Sequence, residues 1–595
     1  MPLSKTKICQ NCNIKFTIEP EDFEFYKKID VPEPTFCPEC RMQRRFGSRN
    51  HRKLYKRKCD FSGEEIISIF HSSSSYKVYD QKIWWSDKWD AMEYGHDYDF
   101  SKPFFEQFDE LAKNVPWPSL RIINSVNCDY CNGMINGKNC YMSTGYEAEN
   151  CLYMDGAAYA KECVDSALTV KCERMYEGNN CNNCYNLAYC TYCDNCINST
   201  FLYDCRNCQS CFGCVNLRNK KYHIFNQPYT KTEYEKEIKK YDLGNYQTLL
   251  KVKNQFDRYS LKFPKRWAQV AKSVNVTGNN INFSKNCHYC FYVKEGAEDC
   301  KFIHLSGLAL KDSYDVLAGG GKSELMYEVD FVIESGNVIS SGSLGQCHNL
   351  AYTMESYFSS NLFGCIGLRH KKYCILNKQY SKQNYKNLVT KIRKQMINMP
   401  YKDKKGRIYQ YGEFFPLELS RFGYNETNAW YYCPLTKKQV LAKGYLWRNK
   451  DKLDYQPTIK ADNLPDHIDN VNDTILKEII ECQNVKSNNC VGSDVYRIIP
   501  AELKFYKKHN LSLPRICPYC RYYQRVRGRN MSRLYQKQCM CAGEKSDKSK
   551  AGNIYQNTTE HKHKNKPCPN TFQTTYAPDR KEIVYCESCY NKEVS

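Results

Sequence analysis

The sequence predicts a multi-domain, mainly β protein: a central duplicated β-solenoid with helical insertions, flanked by zinc-ribbon or treble-clef-like modules. Three observations carry this reading. Paired cysteines lie near both ends, residues 20–59 recur without a gap as 500–539, and cysteines between about 125 and 226 recur nine apart. At 595 residues the chain is past the length at which one core stops growing, so several domains are expected. The expected division begins with an N-terminal zinc ribbon and basic arm at 1–60 and a degenerate second ribbon with linker at 61–124. The first solenoid half spans 125–226, a helical connector 227–275 and the second half 276–377. A helical and aromatic connector at 378–480 then leads to the C-terminal zinc module at 481–595.

The terminal cysteines have the spacing of metal ligands. Cys9-x2-Cys12 and Cys37-x2-Cys40 are two knuckles 24 residues apart, and two such turns supply the four soft ligands of a tetrahedral zinc. At the other end Cys517 and Cys520 match Cys37 and Cys40, but Asn489 and Gly492 fall where the first knuckle belongs. Cys482 and Cys490 are the nearest substitutes. A further ribbon is expected from Cys539-x-Cys541 with Cys586-x2-Cys589, while Cys568, His561 and His563 compete for one position. Its N-terminal counterpart keeps Cys59, but Ser62, Asp80 and Ile83 stand where the other ligands would be. That segment is expected to pack through Trp84, Trp85 and Trp89. Two to three zinc ions are expected in all.

The solenoid follows from repetition. CFGCVNLRNKKYHIFNQPYTKTEY at 211–234 recurs as LFGCIGLRHKKYCILNKQYSKQNY at 362–385. Each copy leads into a helix, opened by Thr230 with Glu233 at capping-box spacing and by Ser381. Nine is half of an 18-residue coil, and short runs broken by Asn, Gly and Asp suit stacked coils. The second half has lost most of its cysteines to Leu, Val, Ser and Tyr, which points to packing. Cys205, Cys208, Cys211 and Cys214 are spaced almost like an iron–sulfur motif, but the last spacing is two and Val215 follows. A stacked ladder or a zinc knuckle is favoured over a cluster. Between 400 and 480 an aromatic stretch precedes ADNLPDHIDNVNDTILKEII, expected to lead through a helix into the last module.

The chain has 36 cysteines and no visible secretory leader, and no stretch long and apolar enough for a membrane span. Free thiols and a cytoplasmic location are therefore expected. A net charge of +22 favours polyanionic partners. Residues 41–58 hold nine Lys or Arg and no acid, and 521–538 hold six with no acid. Arg41, Arg44, Arg45, Arg49, Arg52, Lys53, Arg521, Arg525 and Arg529 are expected to meet nucleic-acid phosphate, with interleaved aromatics for stacking. A solvated or protein-binding face, or a membrane surface, would suit the same charges. GGGKS at 319–323 lacks the first glycine of a phosphate loop, where Val316 stands. Asp155, Asp165 and Glu173 could line one coil face for catalysis, but single acids in coil turns are usually solvated. A zinc-binding, non-enzymatic scaffold that binds nucleic acid is the leading reading; a protein-interaction scaffold, or an acyl-transferring or polysaccharide-active enzyme, are its rivals.

The segment KICQNCNIKFTIEPEDFEFYKK with PTFCPECRMQRR resembles the zinc-ribbon domain of bacterial proteins. Cys9, Cys12, Phe16, Glu21, Phe25, Tyr26, Pro34, Cys37, Pro38, Cys40 and Arg41 take its positions. The resemblance covers about 40 residues at each end and implies zinc. The whole chain is similar to large zinc-ribbon and β-solenoid proteins of candidate-phyla (Patescibacteria-type) bacteria, some labelled class III CoA-transferase-like. No residue pattern here supports that label.

Overall fold

The computed structural model describes residues 3–451 and 456–594. Two β-solenoid halves form its centre. In the first, parallel pairing repeats at an offset of twelve: Lys161 pairs with Glu173, Tyr185 with Ile197, and Gln209 with Lys221. The coil is therefore 12 residues long, not the 18 expected from the cysteine spacing. It has four sides of three residues, and a spacing of nine is three sides.

A turn at every third residue dictates the composition. Asn195, Asn198, Phe201, Asp204, Asn207 and Ser210 all have φ between 47° and 56°. Left-handed backbone costs most L-residues about 1 kcal/mol and Asn or Asp less, which is why these corners are rich in Asn. Corner amides also stack, with Asn195 Nδ2 donating to Asn207 Oδ1 at 3.3 Å and Asn207 Nδ2 to Asn219 Oδ1 at 3.0 Å. The residue after each corner faces inward. Three-residue sides leave a narrow core, so small side chains fill it. Cys205, Cys208, Cys211 and Cys214 are the four inward residues of a single coil and are buried. Cys205 Sγ lies 3.6 Å from both the Tyr203 and Cys214 carbonyls, so a thiol fills the space and finds an acceptor.

The second half varies this plan. Its coils lengthen to 13 where Lys285 pairs with Glu298 and Lys311 with Glu324, then return to 12 from Glu324 and Gly336 onward. Met326, Val338, Leu350 and Leu362 replace thiols in the core, as expected of packing residues. Each half closes on its repeated strand, Lys221–Ile224 or Lys372–Ile375. There Asn226 and Asn377 imitate one more coil. Asn377 Oδ1 accepts from Ile366 N at 2.8 Å while Nδ2 donates to Ile366 O at 2.8 Å; Asn226 does the same for Val215. The expected helices follow, Lys231–Glu237 with its Thr230/Glu233 capping box and Lys382–Asn398 with Ser381 as N-cap.

The halves lie side by side and run in opposite directions. Arg121, at the start of the first, reaches Ser343 and Glu355 near the end of the second. Leu168, midway along the first, packs on Phe291 and Tyr292 in the early coils of the second, and Asp204 near the end of the first accepts from Gln269 at the start of the second. Elsewhere, Trp84 and Trp89 are buried as expected and the helix Phe104–Asn114 packs its Phe104, Phe105 and Phe108 into the second half's core. The acidic connector departs from expectation. Instead of an α-helix it forms three short 3₁₀ turns, Ala461–Asn463, Ile468–Asn470 and Asp473–Lys477. Pro465 interrupts the run, and Asn472 caps the last turn through its side chain, favouring single turns over a continuous helix.

Candidate metal centres

Four tight groups of ligating side chains occur among the described residues, all in the terminal modules. In the first, the hairpin of Lys5–Ile8 and Lys15–Ile18 presents Cys9 and Cys12. Cys37 is the N-cap of the helix Pro38–Gly47 and Cys40 lies in its first turn, where the helix dipole favours thiolate. A tetrahedral site with Zn–S near 2.3 Å places sulfurs about 3.8 Å apart. Cys12 and Cys37 sulfurs are 3.7 Å apart. Hydrogen bonds from Cys37 and Cys40 hold the Cys9 thiol far below its ordinary range, whereas Cys37 is pushed far up by hydrogen bonds with Cys40 and Cys9. Four sulfurs this close could be held by one metal ion.

The C-terminal copy builds the same centre from displaced ligands. Cys482 and Cys490 join Cys517 and Cys520, with sulfur separations of 3.9 Å for Cys482–Cys520, 3.9 Å for Cys490–Cys517 and 3.7 Å for Cys490–Cys520. Gly492, which aligns with Cys12, sits so close that a Cβ there would come within 2.7 Å of Cys517 Sγ. The expected substitutes are thus brought together.

The third group divides the expected ligands between two sets. Cys539, Cys568, Cys586 and Cys589 converge, with Cys568–Cys586 at 3.9 Å and Cys568–Cys589 at 3.7 Å. Cys541 is not in this tetrad; it stands beside it with His561, His563 and Cys589. The reason is the hairpin. Tyr535–Gln538 pairs with Thr571–Thr574, so Cys568 at the foot of the returning strand faces Cys539. The degenerate N-terminal counterpart keeps this backbone without the ligands. Asp80 N donates to Cys59 Sγ at 3.2 Å just as Cys586 N donates to Cys539 Sγ at 3.1 Å.

The solenoid cysteines join none of these groups. The near iron–sulfur spacing of Cys205 to Cys214 is one coil of packing residues.

The basic arms overturn the phosphate-contact expectation. Arg41 and Arg45 are each 1% exposed and share Asp315, which is fully buried, through bonds of 2.9 Å. Arg44 pairs with Glu328 at 2.7 Å and Glu413 at 2.9 Å, Arg45 also with Glu328, and Arg49 with Asp330 at 3.2 Å. Arg52 is buried over the Tyr522 ring, and Lys53 lies on the Tyr519 ring and donates to Val491 O. The C-terminal arm repeats the plan on the first half. Arg521 and Arg525 share Asp165, at 2.8 and 2.9 Å, and Arg521 also meets Glu502 at 2.9 Å. Arg529 is buried beside Tyr432, Tyr292 and Tyr522. These side chains bind solenoid carboxylates or pack on aromatic rings; Arg41, Arg44, Arg45, Arg49, Arg52, Arg521 and Arg529 are buried away from any phosphate, while Lys53 and Arg525 are partly exposed. The acids considered for catalysis are spent the same way: Asp165 holds two arginines, Asp155 accepts from Tyr522 at 2.8 Å, and Glu173 is exposed. Sequence reasoning missed the pairing of the arginines with the solenoid carboxylates because the partners lie hundreds of residues apart.

A groove of about 1300 Å³ lies between the modules, lined by Lys53, Tyr55, Trp430, Trp447, Arg448 and Tyr519 among others. Its Arg448 is paired with Glu426 at 3.1 Å. No described helix is long and apolar enough to cross a membrane.

No family model matches this chain, and no curated protein does. Among solved structures, a crystal structure assigned as an acetyltransferase from Desulfovibrio desulfuricans G20 is similar at 7% identity, over 49% of this chain and 75% of that one. Its TM-score of 0.09 is too low to bear on fold or chemistry.

Proposed function

We propose that the chain is a non-catalytic scaffold in which zinc, held by each of the three four-cysteine groups, rigidifies the modules that lock two solenoid halves together. One observation carries this reading. The helix that receives the metal at its N-terminus, Pro38–Gly47 or Pro518–Arg527, is the same helix that drives two arginines onto a buried solenoid carboxylate. Fixing the cysteines fixes the angle of that helix, and so the geometry of the ion pairs. Four thiolates with these separations suit a borderline-soft, redox-inert cation. Thiolate ligation also suits a reducing compartment, and we place the chain in the cytoplasm. Metal analysis of protein purified under reducing conditions tests this: at least three zinc equivalents per chain, and no iron, are expected. Less than one equivalent, or iron with visible charge-transfer absorption, overturns it.

A second reading keeps nucleic acid but moves it. The helix Lys382–Asn398 carries five basic residues and no acid, and Lys382, Lys386, Lys391 and Lys394 are exposed. Such a face would bind a polyanion through counterion release. Affinity for a mixed RNA pool should fall steeply with salt and drop at least tenfold when those four lysines become glutamate. A flat salt response leaves the solenoid faces as a surface for protein partners, the remaining alternative.

A further inference from the structure

The segment that joins the strands Tyr535–Gln538 and Thr571–Thr574 contains a second, differently built set of ligands. At the N-terminal end the equivalent hairpin, Tyr55–Lys58 with Glu65–Ser68, turns within six residues. At the C-terminal end 32 residues intervene, with no helix and no regular strand, only isolated bridges such as Cys541 with Ser546 and Lys545 with Gln556. Loops longer than about 15 residues without secondary structure are uncommon in compact domains and are usually functional or disordered.

Its ordered core is a ligand cluster. Cys541, His561, His563 and Cys589 bring one donor atom each within 4.8 Å of one another. Cys541, His561 and Cys589 are buried. Both imidazoles have one nitrogen committed elsewhere. His561 Nε2 donates to Glu593 Oε1 at 2.9 Å, which leaves Nδ1 with the lone pair. The Glu593 side chain is fully buried and is itself held by Thr558 and Thr559. His563 Nδ1 donates to Lys566 O at 2.7 Å, which leaves Nε2 bare, 3.4 Å from Cys589 Sγ. A carboxylate or carbonyl that fixes the tautomer of an imidazole is the usual second layer of a metal site. Cys541 Sγ in turn accepts from Asn557 Nδ2 at 3.2 Å, and Asn557 is oriented by Tyr585.

We propose that these four side chains hold a further divalent ion of the zinc class, and that the Cys589 thiolate bridges it to the ion of the neighbouring tetrad. Cys589 belongs to both groups. A thiolate has lone pairs for two metals, and the two imidazoles are neutral, so the shared ligand limits the negative charge gathered in the pair. The result is a sulfur-only site and a mixed sulfur–nitrogen site on one bridge, and the segment 539–570 is ordered by the second. This rests on the reading that the tetrad itself holds metal.

The test uses the full-length protein, first for zinc content and then exchanged with ¹¹³Cd. Four ions per chain are expected, with one cadmium resonance shifted towards nitrogen ligation and split by coupling to a second cadmium through Cys589. The paired substitution His561→Ala and His563→Ala should reduce the content to three and remove both that resonance and the splitting. Three ions in the unaltered protein, with sulfur-only resonances and no cadmium–cadmium coupling, overturns the bridged site and leaves the four-cysteine reading intact. Absence of metal from the C-terminal module altogether overturns both. The unaltered protein decides the matter even where the double variant does not fold.

Discussion

Asp315 and Asp165 show how a single residue is constrained. Each is fully buried, each accepts from two arginines one helical turn apart, and each lies on a solenoid corner with φ of 57° and 51° respectively. Removing one partner leaves a buried charge undersatisfied, which costs about 3–5 kcal/mol. Arg45→Ala should destabilise the protein by that amount in urea unfolding; a loss below about 1 kcal/mol would contradict the buried-pair assignment. The ladder thiols are expected to behave differently. Cys208→Ala deletes one buried sulfur and should cost about 1 kcal/mol, comparable to a small core truncation. Zinc and iron content should be unchanged by it, whereas a metal-ligand role would show as a lost equivalent.

Among the elements, the closing strands and the terminal modules carry the sharpest expectations. A parallel coil stack ends with a row of unpaired backbone groups, and Asn377 satisfies one N–H and one C=O of Ile366 while also donating to Ala91 O. Asn377→Ala should cost about 2–3 kcal/mol, because it orphans buried backbone groups. Asn377→Asp keeps the acceptor but loses the donor and should fall between the two. On the proposed reading that the four-cysteine groups hold zinc, binding energy in such sites is folding energy. Chelation should therefore raise amide exchange first in 3–60 and 480–594, while the coils around 181–214 stay protected. Simultaneous loss of protection in modules and coils would show that the solenoid cannot stand without them.

Over the whole molecule the connectivity is crossed. The N-terminal module docks on the second solenoid half and the C-terminal module on the first, so Arg41 meets Asp315 and Tyr153 meets Glu502 across 274 and 349 residues. His304 sits where the pieces join, edge-on to Phe46 of the first arm and 2.6 Å from Ser532 Oγ beyond the second. Burial, then Arg45 and Arg529, push it down to about 3, so it is neutral in the fold. The unfolded chain takes up this proton near pH 6.5, so the stability His304 contributes is complete above about 6.5 and is lost as the pH falls towards 3. The slope is at most about 1.4 kcal/mol per pH unit. Unfolding of His304→Gln between about pH 6.5 and 5 should be correspondingly less acid-sensitive than that of the unaltered protein; equal slopes would mean His304 is charged in the fold.

Local chemistry alone determined several things about this protein. The four N-terminal cysteines, the closing strands with their capped helices and the packing role of the ladder follow from short-range spacing, and the twin modules from the recurrence of 20–59 as 500–539. They were legible because turns, caps and knuckles are set by residues a few positions apart. The 12-residue coil was partly hidden, since three-residue sides allow spacings of three, six or nine and only pairing reveals which multiple closes the turn. Only the tertiary structure decided which of the competing residues joins Cys539, Cys586 and Cys589, and where the arginines point. A run of nine basic residues without an acid reads as a surface seeking phosphate when its partners cannot be seen. The opposing carboxylates, Asp315, Glu328, Asp330 and Asp165, lie on coils far along the chain, and long-range electrostatic pairing leaves no periodic signal in either partner's neighbourhood.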